Sequence, residues 1–213
     1  MRPRLLDLFC KAGGAAMGYH RAGFEVVGVD KDPQHHFPFE FHQGDALTYP
    51  LDGFDAYHAS PPCQFAIPQY PGYCKNFIPD IRSRLQSTGK PYVIENIPRA
   101  RRFLVNPFYL CGTMFGLKVK RHRYFETNFG ISILLPPCGC RGRAGFTNSY
   151  RRPMSSFARG ARLISVVSHN FSVPDARIAM AIDWMTGPEL SQAVPPAYTE
   201  FIGRYMMQAL GVV

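Results

Sequence analysis

Cys63 lies in the segment Ser60-Pro61-Pro62-Cys63-Gln64, directly after residues 54–59, an alternating and apolar run typical of a strand. Two prolines stiffen this turn, so a thiol at the end of the strand would be exposed and held in place, as a covalent nucleophile must be. A lone cysteine after a strand is more often a packing residue. The chemical interpretation of Cys63 therefore depends on what the rest of the chain supplies.

A carboxylate and two arginines are the next candidates. Glu95 ends the apolar run 90–95, and Arg121 and Arg123 flank a histidine further along the chain. Burial at a strand end would raise the pKa of Glu95, so this side chain could hold a proton near neutral pH. The alternatives are a surface ion pair for Glu95 and an ordinary solvated strand face for the two arginines.

Gly13 and Gly14 separate a strand-like run, residues 4–9, from a helical segment. A strand, a glycine turn and a helix form a common nucleotide-binding device, because backbone N–H groups and the helix N-terminus favour a phosphate or carboxylate. Asp30 ends the next strand and could accept hydrogen bonds from a ribose diol. Asp45 follows the third strand and could hold an adenine amino group. Each aspartate could equally cap a loop.

The elements that would position these residues alternate between strand and helix. Strands are predicted over 4–9, 24–30, 39–42, 54–59 and 90–95, and helices over 13–20, 76–87, 176–185 and about 195–205. This order implies right-handed crossovers and an α/β fold whose mostly parallel sheet carries helices on both faces. Residues 123–129 and 131–135 are predicted to pair as antiparallel strands near the sheet edge.

Taken in order, these segments resemble the DNA cytosine-5 methyltransferase family, and the compact layout resembles members encoded by phages and prophages. The matching segments are Asp7-Leu8-Phe9-Cys10-Lys11-Ala12-Gly13-Gly14, Ser60 to Gln64, Glu95-Asn96-Ile97, Leu110 to Leu117 and Arg121 to Glu126. The resemblance implies a Rossmann-like, S-adenosylmethionine-dependent fold. It implies that Cys63 adds to C6 of a flipped-out cytosine and that Glu95 neutralises the charge at N3. Arg123 would donate to the cytosine O2, and Arg121 would position the catalytic loop or Cys63.

The same resemblance implies S-adenosylmethionine as the cofactor. The residues that it implies for binding are Phe9, Lys11, Gly13, Gly14, Asp30, Asp45, Ala46, Pro61, Gln192, Ala193 and Val194. Two segments depart from the family pattern. Lys11 replaces a usual glycine, and residues 191–194 replace a usual Gly-Asn-Ser-Val. The Lys11 side chain is expected to point to solvent, with a place beside the methionine carboxylate as the alternative.

Residues 136–170 are loop-rich and arginine-rich, so they are interpreted as a reduced target-recognition region between a core, 1–135, and C-terminal helices, 171–213. Residues 64–78 are expected to form a loop that closes over the extruded base. The predicted DNA contacts are Gln64, Arg141, Arg143, Arg151 and Arg152.

The charge balance favours a polyanionic partner, here double-stranded DNA, because 24 Lys and Arg face 15 Asp and Glu for a net charge of +9. The six cysteines do not form a disulfide framework, and no apolar run is long enough to span a bilayer. A cytoplasmic, monomeric protein with reduced thiols is expected.

No metal site is predicted. Cys138 and Cys140 are tightly spaced and no matching pair follows them, His169 being the only nearby candidate. Cys111 is interpreted as structural, and His122 receives no catalytic role. Two other functions stay open: methylation of RNA cytosine by the same residues, and a non-catalytic DNA-binding decoy or regulator on the same fold.

Overall fold

The computed structural model describes residues 1–67, 74–140, 163–167 and 171–212. Its strands are β1 (Arg4–Leu8), β2 (Glu25–Asp30), β3 (Glu40–Gln43), β4 (Ala56–Ala59), β5 (Tyr92–Asn96), β6 (Phe108–Leu110) and β7 (Arg123–Thr127). Its helices are α1 (Gly14–Ala22), α2 (Ile78–Ser87), α3 (Val173–Met180), α4 (Gly187–Gln192) and α5 (Pro196–Ala209). Over these described ranges, none of the helices has both the length and the apolar character that crossing a membrane requires.

All the strands belong to one seven-stranded sheet in the order β3-β2-β1-β4-β5-β7-β6. The strands from β3 to β5 are parallel, and β7 runs antiparallel to both of its neighbours. The chain order reverses between β1 and β4, and ligands of open α/β sheets bind at such a reversal, beyond the carboxyl ends of the strands. This topology confirms the predicted α/β class with a mostly parallel sheet.

Helices cover both faces of the sheet. Leu5 belongs to the apolar core shared with α1 and α5, whereas the adjacent Leu6 belongs to the core shared with α2. Successive strand side chains point to opposite faces, so a strand buried on both faces reads as a continuous apolar run. That pattern is why the parallel strands were recognisable in the sequence.

The strand predicted over residues 131–135 is wrong, and the edge partner of β7 is β6. Leu110 of β6 is fully buried, whereas Leu134 is 90% exposed. Ile131 and Leu135 still pack against the apolar core, but the segment forms no strand there, although its residue types suit one.

The helix predicted over residues 176–185 is also wrong in extent. Helix α3 ends at Met180, and Ala181 adopts the left-handed conformation with φ 54°. The Arg177 side chain donates to the Met185 carbonyl at 2.9 Å, which closes the turn after the helix. Ile182 and Met185 thus become buried without being helical, and their apolar spacing alone did not reveal the break.

Candidate active site

Cys63 follows the end of β4 and is half-buried. The turn before it is held by Asn96 at the end of β5, whose side-chain amide donates to the Pro61 carbonyl at 2.9 Å. The Asn96 side-chain oxygen also accepts from the Ile97 backbone N–H at 2.9 Å. Asn96 therefore fixes the carboxyl ends of two neighbouring strands against each other.

Glu95 is buried near the end of β5 and faces Arg123 at the start of β7. Its Oε1 lies 2.9 Å from Arg123 Nε. The N–H is not aligned for a hydrogen bond, and Oε1 accepts none from any described residue. Burial raises the pKa of Glu95, while the positive charge of Arg123 opposes that rise. The result is a buried carboxyl group with one oxygen available to a ligand that donates a hydrogen bond.

The same two charges act on the Cys63 thiol. Burial and the Glu95 carboxylate raise the pKa of Cys63, and Arg123 lowers it. The structure thus brings together Cys63, which follows β4, Glu95 near the end of β5, and Arg123 at the start of β7. The parallel strands β4 and β5 end at the same edge of the sheet, and the antiparallel β7 begins there, which explains why residues far apart in sequence meet.

Arg121 is fully buried and holds backbone rather than Cys63. Its guanidinium donates to the Val166 carbonyl and, at 2.8 Å, to the Ser191 carbonyl. The Tyr198 hydroxyl donates to the Arg121 backbone carbonyl at 2.6 Å. Burial lowers the pKa of Arg121 well below its ordinary value. These contacts fix the segment that enters β7 against the C-terminal part of the chain.

His58, a buried histidine of β4 that the sequence interpretation missed, lies next to the site. His58 Nδ1 lies 2.9 Å from the Tyr19 hydroxyl, and its Nε2 lies 2.9 Å from the Ser60 hydroxyl. Complete burial lowers the pKa of His58 to about 3. The Ser60 hydroxyl in turn lowers the pKa of Glu95. A polar residue inside the apolar strand run 56–59 was the only signal for it.

The turn that contains Gly13 and Gly14 packs against residues 193–194 near the C-terminal end of the chain. Gly13 has φ +80°, which favours glycine, and a Cβ on Gly14 would lie 2.5 Å from the Val194 carbonyl oxygen. The indole of Trp184 donates to the Ala12 carbonyl at 2.9 Å. Val194 and its buried neighbour Ala193 therefore lie at the amino end of α1, while the Gln192 side chain is exposed.

Lys11 does not simply point to solvent, so that expectation is wrong. Its Nζ lies 3.2 Å from Asp30 Oδ1 and 3.2 Å from Asp32 Oδ2. Its backbone N–H also donates to Asp30 Oδ2 at 3.1 Å. The carboxylates of Asp30, which ends β2, and of Asp32 attract the ammonium group, and Lys11 itself occupies the left-handed region at φ 46°.

The other predicted cofactor residues lie at the same sheet edge. Asp45 Oδ1 accepts from the Leu47 N–H at 2.9 Å, so this side chain caps its own turn. Ala46 is buried, and Phe9 is half-buried with φ 60°. The first turn of α1 holds no acidic residue, so its N–H groups suit a carboxylate. Donors at α1 and acidic groups at the ends of β2 and β3 fit an amino-acid nucleoside, although Lys11 engages both oxygens of Asp30.

The predicted DNA contacts are only partly within the described ranges. Gln64 is half-buried, and its side-chain oxygen has no hydrogen-bond partner in the part of the chain that the structure describes. Arg141, Arg143, Arg151 and Arg152 lie outside the described residues, as do residues 68–73 of the predicted closing loop and His169.

Cys138 and Cys140 have two neighbours that the sequence interpretation did not consider as metal ligands. Cys111 and His122 join them, and the four ligand atoms all lie within 4.8 Å of one another. The sequence search looked for partners after the pair, whereas both partners precede it. The pairing of β6 with β7 brings Cys111, which follows β6, close to His122, which precedes β7.

No protein-family model and no curated protein matches the sequence. Solved structures match it over nearly its whole length. An Escherichia coli prophage protein assigned as a DNA modification methyltransferase superposes with a TM-score of 0.67 and 16% identity, covering 98% of this chain and 99% of the other. The Dnmt2 methyltransferase of S. pombe gives 0.64 and 12%, covering 99% of both chains. The Entamoeba histolytica methyltransferase EhMeth gives 0.64 and 11%, again covering 99% of both. At these identities the likeness shows the Rossmann-like methyltransferase fold.

Proposed function

We propose that the protein is an S-adenosylmethionine-dependent DNA cytosine-5 methyltransferase that acts through a covalent Cys63 adduct. The observation that carries the proposal is the convergence of Cys63, Glu95 and Arg123 at the carboxyl edge of a methyltransferase fold. One buried oxygen of Glu95 accepts no hydrogen bond there from the described residues. A binding protein without catalysis would gain nothing from a thiol, a buried acid and an arginine in this arrangement.

The chemistry starts from the poor nucleophilicity of cytosine C5. The Cys63 thiolate adds to C6 while Glu95 transfers a proton to N3, so the electron pair displaced from the C5–C6 double bond makes C5 nucleophilic. The raised pKa of Glu95 keeps that proton available. After C5 is methylated, N3 returns its proton to Glu95, solvent water takes the C5 proton, and elimination of the thiolate restores the C5–C6 double bond. Arg123, opposite Glu95, would donate to the cytosine O2.

When bound, S-adenosylmethionine supplies an electrophilic methyl group on a sulfonium sulfur. The N–H groups at the start of α1 would hold its carboxylate, and Asp30 and Asp45 would hold the ribose and adenine. Val194 and Ala193 would complete the pocket beside the glycine turn. Each of these residues lies at the edge that also carries Cys63.

Double-stranded DNA is the proposed substrate. The net charge of +9 favours a polyanion, and the arginines of residues 141–152 would contact phosphates or guanine. The target carbon is inaccessible inside a duplex, so the base must rotate out of the stack at a cost of about a few kcal/mol. The predicted closing loop begins at Gln64, directly after the nucleophile.

The test is covalent trapping of the full-length protein with S-adenosylmethionine and duplex DNA that contains 5-fluorocytosine. Fluorine cannot leave as a cation, so the adduct should accumulate on the peptide that contains Cys63. Cys63→Ala should form none, whereas Glu200→Gln, at an exposed ion pair on α5, should retain it. DNA binding without any wild-type adduct would favour the decoy or regulator function. Methyl label that enters tRNA and not duplex DNA would favour the RNA enzyme.

A further inference from the structure

We propose that Cys111, His122, Cys138 and Cys140 form a structural zinc site. Their ligand atoms all lie within 4.8 Å of one another, and each side chain offers one sulfur or nitrogen atom. Three thiolates and one imidazole are a common ligand set for tetrahedral Zn²⁺ in structural sites. The site is separate from the proposed methyl transfer, which needs no metal.

The spacing of the atoms suits a shared ion. The Sγ atoms of Cys138 and Cys140 lie 3.0 Å apart, and each lies 3.4 Å from His122 Nε2. Around a tetrahedral zinc ion, ligand sulfurs lie about 3.8 Å apart and sulfur and nitrogen about 3.6 Å apart, given Zn–S and Zn–N bonds of about 2.3 and 2.1 Å. The observed distances depart from these values by less than 1 Å, which small side-chain rotations can supply.

The surroundings support ligation by thiolates. Cys111 and Cys140 are buried, so water contributes little to their solvation. The Thr113 hydroxyl lies 3.5 Å from Cys111 Sγ and 3.6 Å from Cys138 Sγ, where it can donate to a thiolate. The same hydroxyl accepts from the Gly139 N–H at 3.0 Å. A hydroxyl that donates to sulfur while its oxygen is held by backbone is a typical outer partner of a metal ligand.

The position of the cluster indicates which segments of the chain a zinc ion would stabilise. His122 separates Arg121 from Arg123, so a bond to His122 would hold the backbone that presents both arginines. Cys138 and Cys140 lie near the start of the predicted target-recognition region, residues 136–170, and Cys140 is its last described residue before 163. A zinc ion would therefore hold the beginning of that region next to the start of β7.

The test uses the full-length protein purified under reducing conditions without added metal. Elemental analysis should find about one zinc per chain. After chelation and removal of zinc, titration with Co²⁺ should produce the visible d–d bands of a tetrahedral ion and thiolate-to-cobalt charge transfer in the near ultraviolet. The wild-type spectrum decides the question even where a ligand variant fails to fold.

Variants locate the ion. Cys138→Ser, at a half-buried ligand, should lower zinc content and cobalt absorbance, whereas Cys74→Ser should leave both unchanged. A wild-type protein with neither zinc nor the cobalt spectrum would overturn the proposal. So would a Cys138–Cys140 disulfide, recognised by two thiols that resist alkylation until a reductant is added. Equal loss of metal from both variants would also contradict it.

Discussion

Arg123 Nε lies 2.9 Å from Glu95 Oε1, yet this oxygen accepts no hydrogen bond within the described ranges. A buried carboxylate normally satisfies its oxygens with donors, because an unsatisfied one is costly. Here the arginine supplies charge without a bond, and the oxygen is left for a partner outside the chain. The protonated base edge of cytosine would be such a partner, so the pair favours a site prepared for a ligand over a purely structural ion pair.

Glu95→Gln should separate two effects of this carboxylate, which are proton transfer to the cytosine N3 and the rise in the Cys63 pKa. Methyl transfer should fall by about 10²- to 10⁴-fold, because the amide has no acidic proton to transfer. Alkylation of Cys63 should become faster at pH 8, since the Glu95 charge raises the Cys63 pKa and its removal increases the thiolate fraction. The difference in alkylation rate between Glu95→Gln and wild type should disappear at high pH, where Cys63 is a thiolate in both proteins. Iodoacetamide labelling, read from the Cys63 peptide by mass spectrometry, measures it.

The control for that comparison is Glu200→Gln, which removes a carboxylate paired with Arg204 on α5. It should leave the alkylation rate of Cys63 unchanged. Slower alkylation in Glu95→Gln would contradict the assignment of Glu95 as the neighbour that holds the Cys63 pKa up.

Lys11→Gly should strengthen S-adenosylmethionine binding by up to about tenfold, equivalent to 1.4 kcal/mol. The substitution frees Asp30 from the ammonium group. Lys11→Ala frees Asp30 in the same way and should give a similar gain, while keeping the strain of a side chain at φ 46°, which acts on stability. Calorimetric titration measures both. Weaker binding in both variants would instead place the Lys11 ammonium group on the cofactor.

The fold and the proposed reacting residues Cys63, Glu95 and Arg123 could be predicted from the sequence, whereas contacts between distant edges could not. Apolar runs identified the parallel strands β4 and β5. Cys63 follows β4 and Glu95 lies near the end of β5. Because the two strands run in the same direction, both residues lie at the same edge of the sheet. Strand β6 has only three residues, too few for a periodic signal. Without β6 beside β7, nothing in the sequence brings Cys111 to His122. The Lys11 ion pair likewise depends on the turn conformation rather than on spacing.

Glu126→Gln should lower the free energy of unfolding by about 3–5 kcal/mol, because it leaves the Arg82 charge uncompensated in a largely buried setting. The carboxylate accepts from Arg82 Nε at 2.6 Å and from the Val105 N–H at 2.8 Å. Urea unfolding followed by circular dichroism measures the change. The exposed pair between Glu200 and Arg204 is the comparison, since Glu200→Gln should change stability by no more than about 1 kcal/mol. Equal effects would contradict a structural role for the Glu126 pair.

His58 should make the fold sensitive to acid. Burial lowers its pKa from 6.5 to about 3, so between these values the unfolded chain binds a proton that the folded chain excludes. Stability is therefore retained above about pH 6.5 and lost as the pH falls toward 3, by on the order of 3 kcal/mol at pH 4. His58→Gln cannot titrate, so its unfolding free energy should fall less steeply with acid, although loss of the Tyr19 and Ser60 contacts lowers it at pH 7. Urea unfolding from pH 4 to 8 gives both slopes. The control is His35→Gln, at an exposed histidine, which should keep the wild-type slope of unfolding free energy against pH. If wild type and His58→Gln gave parallel curves, His58 would not be the residue that couples folding to acid.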